Sequence, residues 1–434
     1  MERFIKSDLF TIILFLVAIT NWYLQWTIGY LAVMFVVGIF ILYRNYSRIY
    51  MIPLAIASLI AFYQPRIDIP VYIMGGLIVL LACYDFIKNR IKQFNPVAKS
   101  MFLFLLFMGI SMLYTVDILS SVTGIIHMLL FIYVWMYFSN IEKKTKQSYV
   151  IRVVIYFSFA LFIEIVLGFI QYWQGTFLLT LADLNMGWGR FSEISFFYLI
   201  SIPLTTVYYL RNEVKLRYLF ILFFQISMVV LFASRGAYIA LLVCAIPYCV
   251  LTFRSAINKI RLIKTFLIYI IIALVFRLLV SNPTGMTMLW YERITFFAYQ
   301  DQQEIFAMGL QAWRLSPLFG NGVLSSVYFL KEISQSIGYE LRYFPNYLVH
   351  TIVTLGIFGL LPFSHFVYQL FNLLKEKTQM NRYLFILLLI VFTQGLFDTT
   401  FYGVIVMITL LIMLSIADFP NEKSRKDVIC TQSN

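Results

Sequence analysis

Residues 149–170 read YVIRVVIYFSFALFIEIVLGFI, an apolar run with one Arg and one Glu. Such a run is long enough to cross a lipid bilayer, because a hydrocarbon core of about 30 Å needs roughly 20 residues of helix. Similar runs recur along the chain: 62% of its 434 residues are apolar, 12% are charged, and the mean hydropathy is +0.85. Soluble domains carry roughly 25% charged residues. The composition therefore excludes a soluble enzyme, a disordered chain and a fibrous repeat.

The apolar runs predict the fold class. Only helices and closed barrels satisfy their backbone in lipid, and these runs lack the period-two alternation of barrel strands. We predict an all-α, polytopic integral membrane protein with about 12–14 transmembrane helices in a single domain over residues 1–434. The runs are 9–22, 27–43, 50–63, 69–87, 100–116, 122–138, 149–170, 194–210, 218–233, 236–252, 265–281, 346–371, 383–397 and 400–417.

The basic residues predict the orientation of these spans. With a cytoplasmic N-terminus, the cytoplasmic segments hold 24 of the 33 Lys and Arg residues and the outer segments hold 7, while Arg152 and Arg277 fall within spans. Cytoplasmic loops collect Lys and Arg. We therefore expect both termini in the cytoplasm, with residues 418–434 as a polar tail. The same bias accounts for the net charge of +13, so we expect no nucleic-acid partner.

One outer segment, residues 282–345, is much longer than the other connections, and long loops of this kind are usually functional. Ile305, Met308 and Trp313 are spaced for one face of a helix. We predict an amphipathic helix that lies on the outer membrane surface or caps the bundle. Pro317 and the turn residues 320–322 are expected to end it.

The outer basic residues are six Arg and one Lys, whereas the cytoplasmic set holds ten Arg and fourteen Lys. Arg offers a rigid bidentate fork for phosphate, so the outer excess indicates either capture of an anion or contact with lipid headgroups. Arg235 stands beside Gly236 at the mouth of a short helical hairpin, where a fixed charge is usually functional. Arg277, near the outer end of its run, can instead snorkel to the interface.

Other candidates for chemistry are few. Glu164 and Asp398 lie near outer helix ends, and intramembrane carboxylates are functional candidates or structural partners of Arg. His127 and His350 also fall near outer ends, where a single His is more often a packing residue. The scattered His residues and the lack of a CxxC pair or a GxxxxGK[ST] loop argue against a metal site and against ATP. We therefore expect no cofactor and no metal ion.

Three segments in order resemble the bacterial O-antigen ligase and polysaccharide polymerase superfamily. They are the Ser-Arg-Gly hairpin at 232–237, an Arg followed by an amphipathic helix and a Pro-Leu-x-Gly-x-Gly motif, and Asn346 followed after nine residues by Gly-x-x-Gly. In this chain the second segment begins at Arg293 and ends in Pro317-Leu318-Phe319-Gly320-Asn321-Gly322, and the third ends in Gly356-Ile357-Phe358-Gly359. Arg190 is similar to an upstream Arg of the family. Together the segments span about half of the chain.

The resemblance implies a GT-C-like fold and glycosyl transfer from a polyprenyl-diphosphate-linked glycan, without a metal or a nucleotide sugar. Arg side chains directed at the diphosphate would stabilise the charge that develops as the lipid pyrophosphate leaves. We assign this catalytic role to Arg235 and Arg293. Substrate binding is assigned to Arg190, Arg277, Arg314, Arg342 and Asn346.

The chain departs from the family where a His precedes the Asn, because Pro345 stands there and cannot transfer a proton. A base is still needed for the acceptor hydroxyl. Either His350, on the next helix, supplies it, or a carboxylate such as Glu340 or Asp398 does. We keep His350 and Asp398 as the catalytic candidates.

Three functions remain open from the sequence. A polymerase would transfer the lipid-linked glycan onto a lipid-linked repeat unit at the outer leaflet, and a ligase would transfer it to lipid A core or another surface acceptor. A flippase would need internal repeats and broken helices with charges across the midplane, and no repeat is visible. The missing His favours the polymerase. We expect a multi-pass protein of the bacterial cell membrane, with membrane lipids, a flippase and a chain-length regulator as candidate partners.

Overall fold

The computed structural model describes most of the chain as helices. It covers residues 7–24, 26–42, 95–139, 143–173, 191–211, 216–232, 235–256, 299–332, 343–398 and 402–417, together with separate positions within 73–84 and 259–271. No strand occurs in these described residues. The prediction of an all-α polytopic membrane protein is therefore confirmed.

The described helices are labelled in chain order. They are α1 (Asp8–Leu24), α2 (Thr27–Leu42), α3 (Pro96–Met112), α4 (Ile118–Ser139), α5 (Lys143–Trp173), α6 (Phe191–Arg211), α7 (Leu216–Phe232), α8 (Arg235–Ser255), α9 (Tyr299–Leu315), α10 (Ser326–Phe329), α11 (Tyr347–Leu373), α12 (Gln379–Gly395) and α13 (Val404–Leu414).

Most predicted apolar runs coincide with one of these helices, whereas the run 50–63 and most of the runs 69–87 and 265–281 lie outside the described residues. Within the described part, five helical stretches are long and apolar enough to cross a membrane, at 118–139, 146–168, 193–211, 236–255 and 347–373. Shorter apolar helices lie at 8–24, 96–112, 218–229 and 404–414. The total of 12–14 spans remains a prediction.

Helix α6 lies at the centre of the bundle. Its apolar stretch is 94% buried, and it packs against α5, α7, α8 and α12. Aromatic rings fill the contacts, as where Phe197 meets Phe157 edge-on at 4.8 Å. Buried polar groups are paired across helices, since Tyr198 donates to the carbonyl of Ser158 at 2.7 Å. This packing gives the bundle a rigid centre.

A buried lysine joins two helix ends at the opposite end of the bundle from residues 317–322. Lys146 is fully buried, and its ammonium donates to the carbonyl of Phe138, at the end of α4, and to that of Ser415, after α13, at 2.7 Å. The last carbonyls of a helix have no partner within the helix, and the helix dipole favours a cation there. Lys146 therefore fastens α4 and α13 together.

Helix α11 is broken at Gly356, although the sequence predicts one continuous span over 346–371. Gly356 has φ 70° and ψ −174°, so the hydrogen-bond ladder is interrupted. The loop at 317–322 supplies the missing partners: the amides of Ile357 and Phe358 donate to the carbonyls of Pro317 and Leu318, at 3.0 and 3.2 Å. In return, the amides of Asn321 and Gly322 donate to the carbonyls of residues 353 and 354, at 2.9 and 3.1 Å. We call this exchange the loop–helix interlock.

Glycine is required on both sides of the interlock. Gly320 has φ 75°, and a Cβ on it would lie 2.3 Å from the carbonyl oxygen of Thr354. A Cβ on Gly356 would lie 2.2 Å from the carbonyl oxygen of Leu318. Both positions combine a left-handed backbone, which side chains disfavour, with direct contact between two backbones. The Pro-Leu-x-Gly-x-Gly and Gly-x-x-Gly motifs are thus two halves of one structure.

Side chains from the end of α3 and the start of α4 extend the interlock. Ser111 donates to the carbonyl of Thr354 at 2.5 Å, and Ser121 donates to the carbonyl of Val323 at 3.0 Å. The side-chain amide of Asn321 donates to the carbonyl of Ala312 at 2.8 Å, which holds the end of α9. Asp117 caps α4 through Ser120, and these hydrogen bonds lower the pKa of the Asp117 carboxyl. The loop is therefore fastened to three helices.

We expect Gly356→Ala to lower the free energy of unfolding by about 2–4 kcal/mol, because it adds backbone strain and a clash. Thermal unfolding of the purified protein in detergent measures this as a lower Tm. Gly109→Ala is the matched control: Gly109 is a glycine in α3 with open space around its Cβ position, so alanine should be neutral or slightly stabilising. An unchanged Tm for Gly356→Ala would contradict the interlock.

We also expect Lys146→Met to destabilise the bundle by about 1–3 kcal/mol for each carbonyl left buried without its donor. The measurement is again the Tm in detergent. Lys375→Met, at an exposed position after α11, should change the Tm little. Equal effects of the two substitutions would mean that charge, and not the buried hydrogen bonds, matters at Lys146.

Candidate functional site

Asn346 connects the start of α11 to the end of α12. Its side-chain oxygen accepts from the amides of Leu348 and Val349, at 2.8 and 3.3 Å, which is the geometry of a helix N-cap. Its side-chain nitrogen donates to the carbonyl of Leu396 at 3.0 Å. The side-chain amide of Asn346 thus caps the start of α11 and holds the end of α12.

The start of α8, which contains Arg235 and Gly236 of the Ser-Arg-Gly motif, packs against the same end of α12. Arg235 is the first residue of α8, although its side chain lies outside the described part of the structure. A Cβ on Gly236 would lie 3.2 Å from the Cβ of Asp398 and 3.3 Å from the carbonyl oxygen of Gln394. Gly236 therefore allows the start of α8 to approach Asp398 closely.

These contacts bring three of the predicted site positions to one end of the bundle. Asp398 is half-buried just beyond α12, its amide donates to the carbonyl of Gln394 at 2.8 Å, and Asn346 is bonded two residues away at Leu396. The N-termini of α8 and α11 both lie here, and the dipole of each favours a nearby anion. The site can therefore hold negative charge next to a carboxylate that can accept a proton.

His350 is buried one turn into α11, with 4% of its surface exposed. Its amide donates to the carbonyl of Asn346 at 2.8 Å, so the helix cap fixes its position. The ring lies against Tyr402 and Tyr343, at centroid distances of 4.7 and 5.3 Å. Its Nδ1 has no hydrogen-bond partner among the described residues. A buried ring nitrogen without a partner is unusual, and it can form a hydrogen bond with a bound molecule.

That ring borders a cavity of about 90 Å³ between α3, α4, α11 and the start of α13. The wall is mainly Met and Phe, and its polar side chains include His127, His350, Thr351 and Tyr402. Thr351 and Tyr402 share a hydrogen bond of 2.8 Å between their hydroxyl groups. An apolar wall with a few convergent polar groups is a feature of ligand sites, which usually measure roughly 300–1,000 Å³, so this cavity has room for only a small part of a glycan. Val323 and Leu324, which follow the interlock, close one side of it.

The other predicted site residues are less well defined. Arg314 lies exposed in the last turn of α9, within the segment where an amphipathic helix is predicted. Four of the predicted residues lie outside the described part of the chain: Arg190, Arg277, Arg293 and Arg342. A cluster of guanidinium groups at this end of the bundle is therefore still a prediction.

Sequence reasoning missed several residues of the site. Tyr343 and Tyr402 flank His350, yet tyrosines are so common in this chain that neither stands out. His127 was interpreted as a packing residue, whereas the structure places it on the cavity wall. Its place on the wall follows from the close approach of α4 to Val323 at Gly124, one helical turn earlier, where a Cβ would lie 2.4 Å from Val323; the sequence carries no signal of that contact.

A comparison with known families finds a match to part of the chain. Residues 219–364, about a third of the chain, match the family model described as O-antigen ligase. The matched part begins in α7 and ends in α11, so it contains the Ser-Arg-Gly hairpin, both halves of the interlock, Asn346 and His350. No curated protein matches the chain.

The family consists of glycosyltransferase-like enzymes, and it implies lipid-linked glycan substrates and a membrane location. Both glycine motifs of the interlock fall inside the matched residues. The match confirms the predicted resemblance of this chain to the O-antigen ligase and polysaccharide polymerase superfamily.

Proposed function

We propose that this protein is a surface polysaccharide polymerase. It transfers a polyprenyl-diphosphate-linked glycan onto the next lipid-linked repeat unit at the outer leaflet of the bacterial cell membrane. The observation that carries the proposal is the convergence of the Ser-Arg-Gly hairpin, Asn346 and Asp398 at one end of the bundle. A site at one end suits chemistry at one membrane surface.

Arginine is the residue that this transfer needs most. The acceptor oxygen attacks the anomeric carbon, the bond from that carbon to the diphosphate breaks, and the lipid diphosphate leaves with the electron pair. Guanidinium groups directed at those oxygens stabilise the growing charge. We propose Arg235 for this role because it is the first residue of α8, where the positive end of the helix dipole adds to the charge of its guanidinium group. Arg293 is its proposed partner, with Arg190, Arg277, Arg314 and Arg342 binding the donor.

The acceptor hydroxyl must also lose a proton, and His350 is our first candidate for the base. Its support is the unpartnered Nδ1 beside the cavity and its fixed place one turn after Asn346. Asp398, which packs against the start of α8, is the second candidate. The two candidate bases differ in exposure, because the imidazole of His350 is buried whereas the carboxylate of Asp398 is half-buried.

A ligase is the second candidate function, since the matching family model is described as O-antigen ligase. Both enzymes use the same donor chemistry and differ in the acceptor. Pro345 in place of the family's His favours the polymerase. The family match does not support the flippase. Transporter helices can be broken, as α11 is, but here the loop at 317–322 supplies hydrogen-bond partners to the break.

We expect Arg235→Ala and Arg293→Ala each to reduce glycan transfer on the order of 10²–10³-fold, the usual cost of one lost contact to a developing anion. The assay supplies the purified protein with lipid-linked repeat units and follows the ladder of longer products. Arg235→Lys should recover little activity, because an ammonium lacks the bidentate fork.

The matched control is Arg382→Ala, at an exposed position at the opposite end of the bundle, which should keep the ladder. Wild-type chain length with Arg235→Ala would contradict the catalytic role. A ladder formed from repeat units alone supports a polymerase, whereas transfer only to an added lipid A core supports the ligase.

We expect His350→Ala to lower the rate by about 10²–10⁴-fold, the contribution of a positioned base. Added imidazole should restore part of that rate by entering the space that the side chain leaves. His365→Ala, on the exposed side of the same helix, is the control and should retain activity. If His350→Ala is fully active while Asp398→Asn is inactive, the carboxylate is the base.

A further inference from the structure

A second cavity lies at the other end of the bundle, away from the site described above. It has a volume of about 300 Å³ and is lined by Ser148, Ile151, Arg152, Tyr208 and Arg211. These residues come from the first part of α5 and the last turn of α6, and α1 begins beside them at Asp8. The charge distribution predicts that this end faces the cytoplasm.

Neighbouring side chains hold both guanidinium groups of this cavity. Nη1 of Arg152 donates to the two carboxylate oxygens of Asp8, at 2.9 and 3.1 Å. Nη1 of Arg211 donates to the side-chain oxygen of Gln147 at 2.9 Å, and Gln147 in turn donates to the carbonyl of Ile416 at 3.0 Å. The two arginines are therefore held by side chains of α1 and α5, and through Gln147 by the end of α13.

The composition of the cavity indicates the ligand. Two guanidinium groups and two hydroxyl-bearing side chains form its polar wall, and a planar guanidinium matches phosphate oxygens better than an ammonium does. Asp8 offsets the charge of Arg152.

The depth of the cavity fits a lipid headgroup. Arg152 lies six residues into the apolar stretch that begins at Lys146, which is about 9 Å along the helix axis. Its side chain is still 34% exposed, so it is open to a ligand at the membrane interface. Basic pockets between membrane helices on the cytoplasmic side are known to bind anionic headgroups.

We propose that the cavity formed by Arg152, Arg211, Ser148 and Tyr208 binds the phosphate of an anionic phospholipid in the cytoplasmic leaflet. This lipid site is separate from the glycan-transfer site and does not depend on the proposed function. The bound phosphate bridges α5 and α6 close to α1, and so it stabilises the folded bundle.

The test measures the Tm of the full-length protein in nanodiscs of phosphatidylcholine, with and without about 20% phosphatidylglycerol, because a ligand that binds only the folded state raises the Tm. Roughly 0.15 M NaCl suppresses long-range charge effects. A third arm adds inorganic phosphate to the phosphatidylcholine nanodiscs. Native mass spectrometry counts the phosphatidylglycerol molecules that stay bound.

The test variants are Arg211→Gln and Arg211→Lys, and the control is Arg254→Gln. Arg254 is an exposed residue in the last turn of α8, outside the cavity, and its loss removes the same charge. We expect phosphatidylglycerol to raise the Tm of the wild type and of Arg254→Gln. The rise in Tm should be at most half of the wild-type rise in Arg211→Gln, and it should be smaller than the wild-type rise in Arg211→Lys. Each of the two variants should retain one phosphatidylglycerol molecule fewer than the wild type.

Each outcome decides the proposal. If inorganic phosphate reproduces the full rise, the cavity binds a free anion and not a lipid, which overturns the lipid assignment. If phosphatidylglycerol stabilises Arg211→Gln as much as the wild type, the cavity does not bind the phosphate. If Arg211→Gln is misfolded in pure phosphatidylcholine, the test rests on the Tm and the lipid count of Arg211→Lys. A lipid count equal to that of the wild type then overturns the proposal.

Discussion

Four backbone hydrogen bonds between the loop at 317–322 and the broken helix α11 hold the candidate site together. Inside a membrane protein, a helix break leaves amides and carbonyls that lipid cannot satisfy, so irregular backbone is tolerated only where protein covers it. The loop covers this break with donors and acceptors of its own. The loop and the break in α11 therefore satisfy each other's backbone groups, and each stabilises the other.

The interlock also explains how His350 is positioned. His350 lies on the short helical stretch between Asn346 and Gly356, which is fixed at one end by the cap and by the bond to Leu396. The interlock fixes its other end. A side chain on such a stretch has little freedom to shift, and catalytic groups need positions accurate to about 0.5 Å. The bond from Asn346 to Leu396 also fixes the end of α12 relative to this stretch. At that end of α12, Asp398 contacts the start of α8.

Much of the fold could be predicted from local sequence, because apolar runs of this length have one stable form in lipid. The end of α9 near Pro317 was also predictable from turn residues. What could not be predicted is that Gly320 and Gly356 meet, since a turn signal does not reveal its partner in another helix. For the same reason, the run 346–371 was interpreted as one helix. The burial of His350 beside Tyr343 and Tyr402 likewise depends on helix packing, which the periodicity of one segment does not specify.

The arginines show why counting residues on each side of the membrane is an incomplete guide to function. The count relates the outer Arg residues to anion capture or headgroup contact, and it treats the basic residues of the predicted cytoplasmic segments as orienting charges. Yet Arg152, within a span, and Arg211, in a segment predicted to be cytoplasmic, line a common cavity and are held in place by Asp8 and Gln147. Orienting a protein needs only charge, which a mobile Lys supplies as well as an Arg. Two guanidinium groups held in fixed positions at one cavity have lost that mobility. Charge alone does not require this, whereas recognition of a ligand does.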